Sequence, residues 1–401
     1  MRNDKVFSSI GLVPKEEMLE VKPNFMQLVI GIPKESSFQE NRVSLSPDSV
    51  GLLVANGHSV IIENGAGNSS SFTDKKYSDN GAQIVFSKDE VFKANLILKI
   101  EPPTRKEIEL MHKGQTLISA VQMSTQTVDF FKELNKKNIS SLGFEFIRDK
   151  QEKLPIVRSM SEIAGNSSLL IASEYLSNMK NGKGLMLGGI SGLLPTSVVI
   201  IGAGTVGEYA CRTALGLGAS VIVFDNSFSK LRRLQNNINQ RISTSSLQPK
   251  ALAKALKRAD VVISAQQVGN GKVPCVVSEE MVIDMKSGAV VIDVSIDQGG
   301  SFETSELTTH KSPTYIKHDV IHYCVPNIPS RVSRTASIAI SNILTPILLV
   351  IAEEGGVSNT IKRHECLRNG TYTFNGFLTN ENLSKNFNLP FKDLDLIMST
   401  I

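Results

Sequence analysis

Order begins at QLVIGIPKE, residues 27 to 35. From there to about Leu154, short apolar and β-branched runs (LVIGIP, HSVIIENG, AQIVF, NLILKI, TLISAV, SSLGFEFI) recur between stretches of helical character. Runs of that length bounded by Gly, Pro and Asn read as strands. Between the first two, SPDSVGLLVANG opens on a Ser-Pro-Asp start signal and stops at Asn-Gly, the pattern of a short helix. Strands alternating with helices predict a parallel α/β sheet. A long helix is expected from about Ser159, in MSEIAGNSSLLIASEYLSNMKNG. A second α/β series then runs through SVVIIGAG, SVIVFD, VVISA, AVVIDVS and IHYCVPNIP, followed by another long helix from Thr335 to about Glu354 and a mixed tail ending in LPFKDLDLIM. The first 26 residues show no sustained period and read as an extension.

The 401 residues exceed one ordinary core and suggest two domains with a cleft between them. Hydrophobic residues at 41% and charged residues at 20% are globular proportions. The net charge of +4 comes from mixed signs, which gives no footprint for a nucleic-acid partner or a membrane surface. The four cysteines are far apart and have no metal-ligand spacing, so reduced thiols in the cytoplasm and no metal are expected. The N-terminus lacks the apolar core of a secretion signal. The most apolar stretch, Ile338 to Ala352, is short for a bilayer span and carries Ser and Asn, so no membrane insertion is expected.

Chemistry is written most plainly in residues 198 to 226, VVIIGAGTVGEYACRTALGLGASVIVFDN. A strand runs into Gly202, Gly204 and Gly207, a helix follows, and a second strand ends at Asp225. The glycines of such a loop make the tight turn, admit the pyrophosphate to the backbone and let helix pack on strand. The helix N-terminus offers free N–H groups to phosphate. A carboxylate at Asp225 would accept hydrogen bonds from the adenosine ribose and repel a 2′-phosphate, which favours NAD over NADP. A second stretch, LILKIEPP at residues 96 to 103, is an apolar run whose charged groups are Lys99 and Glu101. Side chains two apart on a strand share a face, so these two are expected to emerge together at the strand's end.

The order of several long motifs resembles that of the alanine dehydrogenase family and of the NAD-binding subunit of proton-translocating transhydrogenase. They are IGIPKESSFQENRVSLSPDSV, ENGAG, MSEIAG, GAGTVG, VIDVSIDQGG and YCVPNIP. The resemblance covers roughly residues 28 to 400. It implies an α/β protein with two Rossmann-like domains built on parallel sheets, the NAD domain inserted into a discontinuous substrate domain. Residues 1–26 would be an extension, 27–158 and 331–401 the substrate domain, and 159–330 the NAD domain. It also implies a homo-oligomer acting on a small amino acid or 2-oxo acid. On the matching positions, Arg42 would hold the substrate carboxylate, a task that suits a planar guanidinium. Asp297 would sit near the nicotinamide, Asn327 would line the cofactor site, and Ser161, Asp225 and Lys230 would touch the cofactor. A surface arginine and a loop-capping carboxylate are the plain alternatives for Arg42 and Asp297.

Two family groups are missing. Where the family has LKxKEP, the first lysine is Lys99 but Glu101 stands at the second, the substrate lysine. After Gly114-Gln115, Gln122 stands where the catalytic histidine is expected, and glutamine does not titrate. Three readings stay open. The first is an alanine dehydrogenase-like enzyme with a rearranged proton relay, Lys99 standing in for the lysine, Glu101 or Asp297 as acid and base, and Gln122 beside the substrate. The second is a dehydrogenase of another amino acid, whose second amine pairs with Glu101. The third is an NAD-binding regulatory or transhydrogenase-like subunit without the reaction.

Overall fold

The computed structural model describes residues 25–37, 39–180, 182–268 and 271–399. Almost all of the N-terminal extension therefore lies outside the described residues. Six strands come first: β1 (Val29–Ile32), β2 (Ser59–Glu63), β3 (Gln83–Val85), β4 (Leu96–Leu98), β5 (Thr116–Ser119) and β6 (Ser140–Gly143). Seven more follow: β7 (Ser197–Ile201), β8 (Ser220–Phe224), β9 (Ser243–Ser245), β10 (Val261–Ser264), β11 (Val290–Asp293), β12 (Thr314–Lys317) and β13 (Val320–Tyr323). The tail adds β14 (Thr371–Phe374) and β15 (Phe377–Leu378). They form two sheets, ordered β15-β14-β6-β5-β4-β1-β2-β3 and β12-β13-β11-β10-β7-β8-β9.

β10 and β11 are buried at every position, as strands covered by helices on both faces are. The expected parallel pairing holds along most of both sheets but fails at one edge of each: β14 pairs antiparallel with β6 and with β15, and β12 antiparallel with β13. Because the tail strands join the first sheet, that sheet is assembled from both sides of the second, which is inserted between them.

Two long helices link the halves. The first, Pro155–Leu176, starts four residues before the expected Ser159, with proline in its first turn, where a missing N–H costs nothing. Ile156 and Met160 pack into the first core, whereas Ala164, Leu169 and Ile171 pack into the second. The second helix, Ser333–Glu353, buries Ile340, Leu344, Leu348 and Ile351 in the first core. Residues 328–353 are apolar enough by length and composition to cross a bilayer, with an 18-residue window of mean hydropathy 2.0, and half of that window is buried inside the fold.

In a mostly parallel sheet, the loops after the strands collect along one edge, where open α/β sheets place ligands. On the first sheet these loops carry Glu35, Arg42, Lys99, Glu101 and Gln122, and on the second Gly202, Asp225, Asp297 and Asn327.

Candidate active site

β7 delivers Gly202 in a left-handed backbone conformation, φ 111°, and the helix Thr205–Gly216 starts immediately after. A Cβ on Gly207 would lie 1.9 Å from the Gly202 carbonyl oxygen, so only glycine allows this close turn. Above Gly204 a Cβ would meet nothing within 4 Å, and no side chain caps the helix start. The loop thus leaves space and unclaimed N–H groups where a pyrophosphate would sit. Asp225, just after β8, accepts the Ala203 N–H and the Ser227 N–H, each at 2.7 Å. Each of its oxygens keeps a lone pair for a ribose hydroxyl. Lys230 stands exposed on the next helix, Phe228–Asn237, and Arg233 on that helix donates to the Ala203 carbonyl at 3.0 Å. These residues fit NAD.

On the first sheet the expected pair at the end of LILKIEPP is not a pair. β4 stops at Leu98, and Lys99 turns inward to only 1% exposure. Its Nζ lies 3.0 Å from Glu35 Oε2 and 3.4 Å from Glu107 Oε1, and Lys88 reaches the same Glu107 oxygen at 2.9 Å. Burial alone would lower the Lys99 pKa; the two carboxylates outweigh it and raise it. Glu107 also closes a capping box with Thr104. Burial works against its charge, but Lys99, Lys88 and the Thr104 N–H bring its pKa down to about 2. Glu35 in turn accepts the Ile100 N–H at 2.6 Å and the Glu101 N–H at 3.4 Å, which fixes the backbone that presents Glu101. Lys99 therefore braces the loop instead of reaching into the cleft beside Glu101.

Glu101 is half-buried. Desolvation, aided by the like charges of Glu40 and Glu35, pushes its carboxyl up to about 7, while Ser37 and Lys99 pull only weakly the other way. Asp297 lies in the turn after β11. It is accessible at the surface of the cleft yet crowded by protein, and this desolvation raises it to about 6 against the Asn327 N–H and the Arg42 charge. Arg42 feels Glu35 and Glu101 as well as its immediate partner Glu40. Arg42, Glu101, Asp297 and Asn327 are thereby brought within electrostatic reach of one another.

Gln122 and Asn327 both adopt left-handed backbone conformations, φ 50° and 57°. Such conformations are uncommon away from glycine and gather at functional sites. The Glu145 carboxylate accepts the Val121 and Gln122 N–H groups at 2.9 and 2.8 Å and holds Gln122 in its bend. Ser161 sits on the first long helix, one residue after the Met160 that contacts the Arg42 guanidinium.

Sequence reasoning missed Glu40, Glu35 and Glu107. The first two lie inside the motif IGIPKESSFQENR, where a buried carboxylate beside the arginine was the available signal. Among the described residues no cluster of His, Cys, Asp and Glu could hold a metal ion, and no cysteine is in a disulfide.

A glycine-rich phosphate loop and the Asp297 carboxyl on one sheet, set against Arg42 and the Glu101 carboxyl on the loops of another, is the architecture of a two-domain, nicotinamide-nucleotide-dependent oxidoreductase. Comparison with known proteins makes the assignment specific. The model for the alanine dehydrogenase/PNT N-terminal domain matches residues 31–164 and that for the C-terminal domain matches residues 168–381, so the chain belongs to the alanine dehydrogenase/PNT family. It is 39% identical over 366 residues to an alanine dehydrogenase of Methanococcus maripaludis, covering 91% of this chain and 98% of that protein. An alanine dehydrogenase of Bacillus subtilis is 37% identical over 365 residues, 91% of this chain and 96% of its own length. Among solved structures, an L-alanine dehydrogenase superposes with a TM-score of 0.84 at 33% identity, covering 90% of this chain and 99% of that one. A transhydrogenase from Sinorhizobium meliloti shares the fold, with a TM-score of 0.76 at 22% identity, covering 88% of this chain and 99% of that one.

Proposed function

We propose that the protein is an NAD-dependent amino-acid dehydrogenase that interconverts L-alanine with pyruvate and ammonia. The observation that carries this reading is the arginine flanked by two carboxyls poised at about 7 and about 6. Groups titrating near the working pH are those that exchange protons during catalysis. Arg42 binds the substrate carboxylate. Glu101, ionised, takes a proton from the α-ammonium and frees the nitrogen lone pair that forms the imine. When bound, NAD supplies the nicotinamide C4 that accepts the hydride from the substrate Cα. Asp297 then takes a proton from the water that adds to the imine carbon, returns it to the nitrogen, and takes the remaining hydroxyl proton as ammonia leaves and the carbonyl of pyruvate forms. Gln122, without a titrating group, serves only to hydrogen-bond substrate. Ser161, Gly202, Gly204, Gly207, Asp225, Lys230 and Asn327 hold the cofactor, and Lys99 supports the Glu101 loop through Glu35.

One observation favours a second reading. Glu101 has two carboxylates among its strongest neighbours, and the cations within reach, Lys99 and Arg42, are already bound to Glu35, Glu107 and Glu40, so an amino acid with a second amine would meet a carboxylate with little competition there. Within either reading, the protein is a cytoplasmic homo-oligomer acting on a small amino acid or 2-oxo acid, with residues 27–158 and 331–401 as its substrate domain and 159–330 as its NAD domain. Free cysteines support the compartment, and the assembly of the first sheet from both chain segments supports the discontinuous substrate domain.

NADH formation measured with L-alanine beside a panel of L-amino acids tests the proposal, with alanine expected among the best substrates. Arg42→Ala should raise KM at least tenfold. No turnover of any amino acid, despite NADH binding seen by fluorescence, would refute it.

A further inference from the structure

The segment that supplies Arg42 also fastens the two domains to each other. The Glu40 side chain is 0% exposed. Its Oε1 accepts the Arg42 backbone N–H at 2.9 Å and Arg42 Nε at 2.7 Å; its Oε2 accepts Arg42 Nη2 at 2.6 Å and Asn327 Nδ2 at 2.8 Å. These four donors, with Ser330 Oγ a longer fifth at 3.4 Å from Oε1, fill the capacity of the carboxylate. Burial by itself would raise this carboxyl, but Arg42 and Asn327 hold it below the usual range, so Glu40 is charged. The contacts around it bridge the same gap. The Asn41 N–H donates to Ser330 Oγ at 2.8 Å, Ser330 Oγ donates to the Gln39 carbonyl at 2.7 Å, and the His310 N–H donates to Gln39 Oε1 at 3.3 Å. Asn327, whose side chain is on Glu40, directs its own N–H to Asp297. A hydrogen-bonded series therefore runs from Arg42 through Glu40 to Asn327, whose backbone also helps hold down the Asp297 carboxyl.

A guanidinium can meet a carboxylate side-on, through Nε and Nη2, or end-on, through the two Nη groups. Glu40 occupies the side-on fork. The end-on edge keeps Nη1, which donates to the Met160 sulfur at 3.4 Å, and the second proton of Nη2. We infer that Glu40 is a positioning residue: it presents Arg42 end-on to the substrate carboxylate and, through Asn327, ties that orientation to the closure of the NAD domain over the cleft. The inference rests on the amino-acid dehydrogenase reading. Glu40 itself does not touch substrate.

The test is Glu40→Gln in the full-length protein, with amino-acid KM, kcat and the NADH dissociation constant measured together. The neutral amide cannot take all four donors, so Arg42 loses its fixed orientation. KM should rise at least tenfold, kcat should change less than threefold, and NADH binding should hold within threefold. Asn327→Ala, which removes the cross-cleft bond and leaves the Arg42–Glu40 pair, should raise the amino-acid KM three- to tenfold when measured at saturating NAD, so that a weakened cofactor contact does not enter, and serves if Glu40→Gln does not fold. The double variant should raise KM by less than the product of the single effects, because both act through one series. A loss confined to kcat or to thermal stability, with KM unchanged, would overturn the inference and leave Glu40 as a structural ion pair. A wild-type protein inactive on every amino acid would instead sink the dehydrogenase reading, and this inference with it.

Discussion

Replacing Glu101 with glutamine should make the protein more stable and less active, each in a pH-dependent way. Its carboxyl is displaced from an ordinary 4.5 to about 7, first by desolvation and then by the Glu40 and Glu35 charges. A carboxyl that holds its proton more tightly when folded weakens folding as pH rises from about 4.5 through about 7; below that window the penalty is absent and above it complete. At roughly 1.4 kcal/mol per unit, the displacement has an upper bound of about 3.5 kcal/mol. Solvent screening of a half-buried group reduces this to about 1 to 2 kcal/mol.

Glutamine keeps the shape and cannot ionise. Urea unfolding should therefore show Glu101→Gln more stable than wild type by about 1 to 2 kcal/mol at pH 8, with little difference at pH 4.5. In the same variant, kcat should fall by about 10² to 10⁴, the span of a lost proton-transfer group, and the limb of the wild-type pH–rate profile centred near pH 7 should vanish. An equal stability change at both pH values would refute the electrostatic account. A retained limb at full activity would remove Glu101 from the reaction.

Lys99→Met should cost about 3 to 5 kcal/mol at neutral pH, because Glu35 and Glu107 are left buried without their shared cation; the midpoint of urea unfolding reads this directly. A loss under about 1 kcal/mol would mean that the two carboxylates find other partners. Asp225→Asn should narrow the preference for NADH over NADPH by about tenfold, measured as the ratio of their dissociation constants, since the charge that opposes a 2′-phosphate is gone. An unchanged ratio would place the ribose elsewhere.

Much of this fold is legible in the chain because its signals are local. The continuous apolar runs of β7, β10 and β11 state their own burial, and GAGTVG declares strand, turn and helix within a few residues. The antiparallel edges are different. TYTF and FL are too short to carry a period, and β14 joins β6 from the far end of the chain. The site divides in the same way. Arg42 and Asp297 stand in motifs, but the burial of Glu40 depends on Asn327, 287 positions later. Lys99 was misplaced for the same reason. An i, i+2 relation on a strand sets it beside Glu101, but the strand ends one residue earlier and Glu35, from a loop 64 positions back, draws the ammonium inward.

The return of the tail to the first sheet sets an order of events during synthesis. β7 to β13 leave the ribosome as one continuous block and can close into a sheet while later residues are still being added. β6 cannot complete its pairing until β14 emerges, and the Thr373 hydroxyl bonds the Ile139 carbonyl across 234 positions. Until then, β6 presents an open strand edge of the kind that recruits other chains. The second sheet can therefore close before the first is sealed, and a ribosome that stops short of Thr371 releases a chain in which β6 keeps an adhesive edge.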